Sequence, residues 1–266
     1  MLHVLALMAA TSVEPIVSTE WLQLHLNDPQ VRVIFIGDRD EYDRAHIPGA
    51  RLIDHMDTVG SEHRPLPTDA LARALTKAGA EDGARIVLYG DSPMATGWLY
   101  MTLALTGHGP DTSLLDGGIR LWQAEKRPTS TTVPPAGTGR LTARPAPDVM
   151  VDAAWVRSRL ESPAVRLLDV HTDDEWKRGH LPGATLVLWQ DLFADQRTLK
   201  FKSVDDIRAL LRRAGVTANQ EVITYCAVGM RASLMYFAAN AAGIPAHVYV
   251  GSFEDWRRNS TNPIVR

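Results

Sequence analysis

"DEYDRAHIPGA", residues 40 to 50, recurs as "DEWKRGHLPGA", residues 174 to 184, with seven of the eleven positions identical. The same offset of 134 residues aligns "LLDGGIRLW" (114 to 122) with "VYVGSFEDW" (248 to 256). The repeated unit is therefore about 120 residues long, far longer than the 20 to 50 residues of a solenoid repeat. The chain is predicted to contain two copies of one domain.

Each copy alternates short β-rich runs with helical stretches. "RIVLYG" (85 to 90) and "EVITYC" (221 to 226) are continuous apolar runs, and "SVDDIRALLRRAGV" (203 to 216) has apolar residues at helical spacing. This alternation predicts an α/β fold in which each copy is a mainly parallel β-sheet flanked by helices on both faces. The predicted boundaries are 12–126 for the first domain, 127–147 for a proline-rich linker and 148–266 for the second domain.

Composition excludes several functional classes. The 28 basic and 31 acidic residues give a net charge of −3 and form no basic stripe, so a nucleic-acid partner is not expected. An apolar run from Val4 to Ala10 follows no Lys or Arg and is too short to span a bilayer, so neither export nor membrane insertion is expected. One cysteine forms no internal disulfide, which favours the cytoplasm.

That cysteine, Cys226, follows a buried strand and precedes an alanine-rich helix. Ligands bind at the carboxyl ends of strands in open α/β sheets. The linking segment is short and contains Gly229, whose backbone is unusually free, so successive N–H groups are expected to surround the sulfur. The predicted cradle consists of Ala227, Val228, Gly229, Met230 and Arg231. Such a cradle stabilises a thiolate and makes Cys226 a candidate nucleophile.

Together these phrases resemble the tandem-domain rhodanese family of sulfurtransferases, from about Val17 to Pro263. The resemblance implies an inactive first domain and a catalytic second domain, because the first copy reads "YGDSPMATG" where the second reads "YCAVGMRAS". Gly90 or Asp91 then stands in place of the cysteine. It also implies a cycle in which Cys226 takes sulfur from a donor as a persulfide and passes it to cyanide or a thiol, with no metal or organic cofactor.

The loop after Cys226 bears on the reaction. Cysteine phosphatases resemble one another in five residues between cysteine and arginine, whereas four separate Cys226 from Arg231 here, which favours sulfur over a phosphoryl group. Thiosulfate-type members tend to carry basic residues after the cysteine, and 3-mercaptopyruvate-type members carry hydroxyls. Ala227 and Val228 fit neither pattern, so the loop does not decide between the two donors. The resemblance is interpreted with thiosulfate as the preferred donor and 3-mercaptopyruvate as the alternative. A third hypothesis is that the protein is a persulfide carrier that serves a protein thiol acceptor.

Roles are also assigned to residues outside the loop. Arg178 is a candidate donor contact, ahead of its neighbour Lys177. Asp169, in "LLDVH", is expected to orient the loop from behind, and its first-copy partner is taken as Gly37 or Asp38. His171 replaces the arginine that relatives usually have and is left without a role. Features that both copies share are assigned to the fold, and they are His46 and His180, Glu41 and Glu175, Arg44, and Trp122 and Trp256.

Overall fold

The computed structural model describes residues 13–135, 137 and 139–266. The apolar run from Val4 to Ala10 lies outside these residues. Within the described part of the chain, no helix has the length and apolar character needed to cross a membrane.

The first copy folds around a parallel five-stranded sheet in the order β1-β5-β4-β2-β3. Its strands are β1 (Ile16–Val17), β2 (Val31–Ile36), β3 (Arg51–Ile53), β4 (Arg85–Gly90) and β5 (Thr112–Leu115). Its helices are α1 (Thr19–His25), α2 (Arg39–Arg44), α3 (Thr68–Lys77), α4 (Pro93–Leu105) and α5 (Gly118–Ala124).

The second copy repeats this topology with the strand order β6-β12-β11-β7-β8, and a separate antiparallel pair joins β9 to β10. Its strands are β6 (Met150–Val151), β7 (Val165–Asp169), β8 (Thr185–Leu186), β9 (Phe193–Asp195), β10 (Lys200–Phe201), β11 (Glu221–Tyr225) and β12 (Ala246–Tyr249). Its helices are α6 (Ala153–Arg157), α7 (Asp173–Arg178), α8 (Val204–Arg213), α9 (Met230–Ala241) and α10 (Ser252–Trp256). The predicted fold class is confirmed.

Alternate residues of β2 explain why its sequence is apolar from Val33 to Ile36. Ile34 and Ile36 belong to a core cluster on one face of the sheet, and Val33 and Phe35 belong to another on the opposite face. A parallel strand that is covered on both faces buries both sets of side chains, so no polar alternation appears in the sequence.

The two copies meet through α4 and α9, which are the equivalent helices of the repeat. Both are apolar around most of their circumference, which is the pattern of a helix buried on all sides. At Gly97 in α4 an added Cβ would lie 2.5 Å from Cα of Leu234 in α9, so the backbones are in close contact. One core cluster consequently runs through both copies.

The described residues between the two copies contact the first copy at several points. His46 and Ser130 form an antiparallel bridge, the N–H of Asp82 donates to the carbonyl of Arg140, and Leu141 is buried. These contacts fix the segment against the first domain.

The repeated "HIPGA" and "HLPGA" phrases have matching contacts in both copies. Tyr89 and Tyr225, at equivalent strand positions, each accept a hydrogen bond from the backbone N–H after the turn histidine, that of Ile47 at 2.9 Å and that of Leu181 at 3.0 Å. His46 and His180 each have Nδ1 near the carbonyl four residues earlier. The structure thus gives the turn histidines the fold role that the repeat predicts.

Candidate functional site

Cys226 lies where β11 ends, and only 1% of its surface is exposed. The backbone N–H of Gly229 donates to Sγ at 3.1 Å. Gly229 has φ +92°, and a Cβ there would lie 2.8 Å from the carbonyl oxygen of Val250. The chain therefore needs a glycine at this position to turn its N–H toward the sulfur.

The cradle has one backbone donor in the structure, where the sequence led us to expect several. Within the described residues, the N–H of Gly229 is the loop donor that meets hydrogen-bond geometry at Sγ. Met230 and Arg231 open α9, and the first N–H groups of a helix have no partner within the helix. Ala227 is half-buried and Val228 is exposed at the outer edge of the loop.

Arg231 is tied to Glu175 from the neighbouring helix α7. Two guanidinium nitrogens donate to the two carboxylate oxygens at 2.6 and 2.9 Å. The hydrogen bonds to Glu175 raise the pKa of Arg231, burial opposes this rise, and the nearby Cys226 sulfur adds to it. This cation, which interacts with the sulfur, is thus held in place by a carboxylate.

Glu175 is itself held by the start of α7. Its carboxylate accepts from the backbone N–H of Thr172 at 2.8 Å, and the Thr172 hydroxyl accepts from the N–H of Glu175, which is a capping box. The hydrogen bonds from Arg231 are the main reason that the pKa of Glu175 falls to about 2. The repeat assigned Glu175 to the fold alone, and the structure shows in addition that it contacts the loop.

Ser252 holds the other side of the loop and was not found from the sequence. The backbone N–H of Cys226 donates to its Oγ at 3.2 Å, and that hydroxyl donates to the carbonyl of Tyr249 at 2.8 Å. Ser252 is fully buried and has φ +55°, a region that residues with a Cβ rarely adopt. Its first-copy counterpart, Gly118, has φ +53°. The alignment of a serine with a glycine was therefore the sequence signal that could have indicated an unusual backbone at Ser252.

A groove beside the loop carries positive charge. It is lined by Ala227 and Phe253 together with four arginines and two glutamates, and the charged residues are Glu175, Arg178, Glu254, Arg257, Arg258 and Arg266. Arg178 is exposed and has no ion-pair partner among the described residues, whereas Lys177 lies 3.9 Å from Asp174. The groove thus supplies the charge that Ala227 and Val228 lack.

The buried pair of Asp169 and His171 adjoins the same groove. Asp169 is fully buried, and its Oδ1 accepts the N–H of His171 at 2.8 Å. Strand register shows that its first-copy partner is Phe35, because Phe35 pairs with Tyr89 as Asp169 pairs with Tyr225. The expected partner, Gly37 or Asp38, was wrong because the two strand runs were aligned out of register.

A segment of the first domain borders the loop from the opposite side. Glu62, His63 and Arg64 share a pocket with Val228 and with residues near the start of α10. Arg258 lies 3.5 Å from Glu62, and Arg64 lies 3.7 Å from Asp255. No sequence pattern pointed to these residues, since they reach the loop through the packing of the two copies.

The first copy has no room for a sulfur at the equivalent position. Tyr89 occupies the place of Tyr225, so Gly90 corresponds to Cys226. A Cβ on Gly90 would lie 2.4 Å from the carbonyl oxygen of Ile36. Beside it Asp91 accepts two hydrogen bonds from Arg120, at 2.8 and 3.1 Å, and Phe193 and Phe201 of the second domain line the small pocket there.

The chain is similar to known proteins over most of its length. A model of the rhodanese-like domain matches the chain twice, over residues 18–125 and 152–259. A sulfur carrier protein, TtuD, from Thermus thermophilus is 30% identical, and the alignment covers 95% of this chain and 97% of that protein.

Two further relatives are named as enzymes. A thiosulfate sulfurtransferase from Azotobacter vinelandii is 26% identical, with 91% of this chain and 94% of that protein covered. A probable 3-mercaptopyruvate sulfurtransferase from Pseudomonas aeruginosa is 30% identical, with 84% and 85% covered. The crystal structure of SseA from Escherichia coli superposes with a TM-score of 0.78 at 22% identity, covering 91% of this chain and 99% of that one.

Proposed function

This chain belongs to the rhodanese family of sulfurtransferases, and on that premise we propose that Cys226 accepts a sulfane sulfur from thiosulfate and passes it to cyanide or a thiol. The observation that carries the proposal is the position of Sγ, which lies at the carboxyl end of β11 with the N–H of Gly229 directed at it. A thiolate so held attacks the outer sulfur of the donor, sulfite leaves, and a Cys226 persulfide remains.

The groove supports an anionic donor. Thiosulfate carries two negative charges. The arginines that line the groove offer it charge-assisted hydrogen bonds, among them Arg178, which has no ion-pair partner in the described part of the chain. Covalent capture at Cys226 divides the sulfur transfer into two easier displacements. Asp169 contributes from behind the loop, since its carboxylate fixes the backbone of His171 beside Ala227.

Two alternatives each have an observation in their favour. The relative from Pseudomonas aeruginosa favours 3-mercaptopyruvate, whose carboxylate the same arginines would bind. The sulfur carrier from Thermus thermophilus, together with the neutral residues Ala227 and Val228, favours a persulfide carrier that serves a protein thiol.

A donor panel distinguishes these functions. Purified protein is given thiosulfate or 3-mercaptopyruvate with cyanide as acceptor, and thiocyanate is measured, with Cys226→Ser as the control. We expect faster turnover with thiosulfate and none in the variant. Thiocyanate formation that survives Cys226→Ser would refute the assignment of the nucleophile. A persulfide seen by mass spectrometry without turnover of either donor would favour the carrier.

A further inference from the structure

A histidine–aspartate pair lies at the edge of the groove beside the Cys226 loop, and its imidazole ring has no part in the transfer described so far. His171 and Asp169 are 2% and 0% exposed. Nδ1 of His171 lies 2.9 Å from Oδ1 and 3.2 Å from Oδ2 of Asp169. The ring is further enclosed edge-on by Tyr225 and Phe253, with centroids 6.0 and 5.6 Å away. Its orientation is therefore fixed on three sides.

The carboxylate also selects the tautomer of the ring. With an acceptor at Nδ1, the proton of a neutral imidazole resides on Nδ1 and the lone pair on Nε2. Among the described residues Nε2 has no hydrogen-bond partner. It is not one of the fully buried polar atoms without a partner, so it keeps some contact with solvent. His171 lines the groove, so this lone pair is presented to whatever enters there.

Strand register places the backbone of His171 close to the loop that begins at Cys226. The N–H of Val170 donates to the carbonyl of Tyr225 at 2.8 Å, so the ends of β7 and β11 lie side by side. His171 directly follows Val170 after the end of β7, and Cys226 directly follows Tyr225 at the end of β11. His171 and Ala227 then line the same groove.

The first copy shows that the fold forms without this pair. Phe35 corresponds to Asp169 by strand register, and Gly37 consequently stands where His171 does. The sheet, the turn and the buried tyrosine are otherwise preserved in that copy. The pair occurs only beside the cysteine, which points to chemistry rather than to folding.

We propose that His171 is a catalytic residue, the general base for a thiol acceptor, with Asp169 as its positioning residue. The inference rests on the proposed function, because it concerns the second half of the same cycle. Nε2 takes the proton of the thiol as its sulfur bonds to the outer sulfur of the Cys226 persulfide. The bond between that outer sulfur and Sγ breaks, and its electron pair stays on Sγ as the thiolate. The proton then leaves to the new persulfide or to solvent.

Acceptor chemistry explains why a base is needed. A free thiol has a pKa of about 8.5, so only a few per cent is thiolate at neutral pH and the remainder must lose a proton to react. A histidine oriented by a carboxylate performs this task for the serine of a catalytic triad. The sulfite dianion attacks with a lone pair on sulfur and has no proton to lose, so it does not need His171.

The test separates the two half-reactions. The full chain is loaded with persulfide from thiosulfate, freed of donor, and mixed near neutral pH with glutathione or with sulfite while persulfide loss is followed. In His171→Gln we expect transfer to glutathione to slow by about 100-fold, as for loss of a general base. Transfer to sulfite should stay within about threefold. Asp169→Asn should show the same selectivity, because its amide would favour the wrong tautomer.

The chain offers a matched control in His247, which forms a similar pair with Glu221 at 3.1 Å at the opposite end of the sheet. His247→Gln should leave both transfers unchanged. Equal rates for glutathione in His171→Gln and the unsubstituted protein would overturn the proposal, as would an equal loss with both acceptors. If Asp169→Asn does not fold, His171→Gln decides alone. A protein that forms no persulfide at all would overturn the proposed function and this inference with it.

Discussion

The guanidinium of Arg231 donates two parallel hydrogen bonds to the carboxylate of Glu175, at 2.6 and 2.9 Å. Arg231 lies in the first turn of α9, directly after the loop that follows Cys226, and Glu175 belongs to the helix that precedes the repeated turn. The pair thus joins the segment around the sulfur to the rest of the second domain. Such two-pronged contacts add geometric specificity as well as energy.

Replacing Glu175 by Gln should loosen the loop. The variant leaves the Arg231 cation half-buried without its counter-charge, so we expect a loss of about 1 to 3 kcal/mol in the free energy of unfolding. Persulfide formation at Cys226 should slow more than donor binding weakens. Urea unfolding and single-turnover kinetics measure the two effects, and unchanged values in both would contradict the role given to the pair.

The pair should also give the protein a defined acid response. The pKa of Glu175 falls from 4.5 to about 2 in the folded protein, chiefly through the hydrogen bonds from Arg231. Because the folded value lies below the unfolded one, the stability from this carboxylate is complete above about pH 4.5 and is lost as pH falls towards 2. The difference in unfolding free energy between the protein and Glu175→Gln should therefore be constant from neutral pH down to about 5 and shrink below that. A difference that grows on acidification would refute this.

Ser252 combines a needed hydroxyl with a strained backbone. Ser252→Ala removes the acceptor for the N–H of Cys226 and keeps the φ of +55°, whereas Ser252→Gly removes the acceptor and relieves the strain. We expect both variants to lose activity and the alanine variant to be less stable than the glycine variant by about 1 kcal/mol. Thermal unfolding compares them, and an alanine variant as stable as the glycine variant would show that the strain is unimportant.

Gly90→Cys tests why the first copy lacks a sulfur. A Cβ there would lie 2.4 Å from the backbone oxygen of Ile36, so the change must displace the sheet. In a Cys226→Ser background we expect a stability loss of about 1 to 3 kcal/mol, the usual range for overpacking, and no persulfide after incubation with thiosulfate. Mass spectrometry checks the second point. A stable, persulfide-bearing variant would contradict the steric explanation.

Arg178 and Lys177 form an adjacent test pair for donor binding. Arg178 lines the groove and has no ion-pair partner among the described residues, whereas Lys177 lies near Asp174 and does not line the groove. Arg178→Gln should raise the KM for thiosulfate about tenfold, equivalent to about 1.4 kcal/mol, with little change in kcat. Lys177→Gln should leave KM unchanged. Equal effects from the two variants would indicate a general charge effect rather than a contact.

Much of the fold could be predicted because the repeat compares the sequence with itself. In each copy a strand tyrosine accepts a hydrogen bond from the turn that "HIPGA" or "HLPGA" forms. Because both copies need the same turn, the two phrases are similar enough to be aligned. The helical pattern of residues 203 to 216 was correctly expected, and α8 begins there after Ser203, whose hydroxyl accepts the N–H of Asp206. The register of Asp169 against Phe35 was missed by two or three residues, because the apolar residues of the two strands do not by themselves fix how the strands align.

The sequence by itself determined the two-domain α/β fold, the single thiol and its place between a strand and a helix, because these depend on apolar periodicity and on one glycine. Only the tertiary structure decided which groups surround that thiol. Glu175, Ser252 and the first-domain residues Glu62 to Arg64 reach the loop from distant parts of the chain. Hydrogen bonds and ion pairs of this kind depend on side-chain positions that packing sets, and no spacing along the chain encodes them.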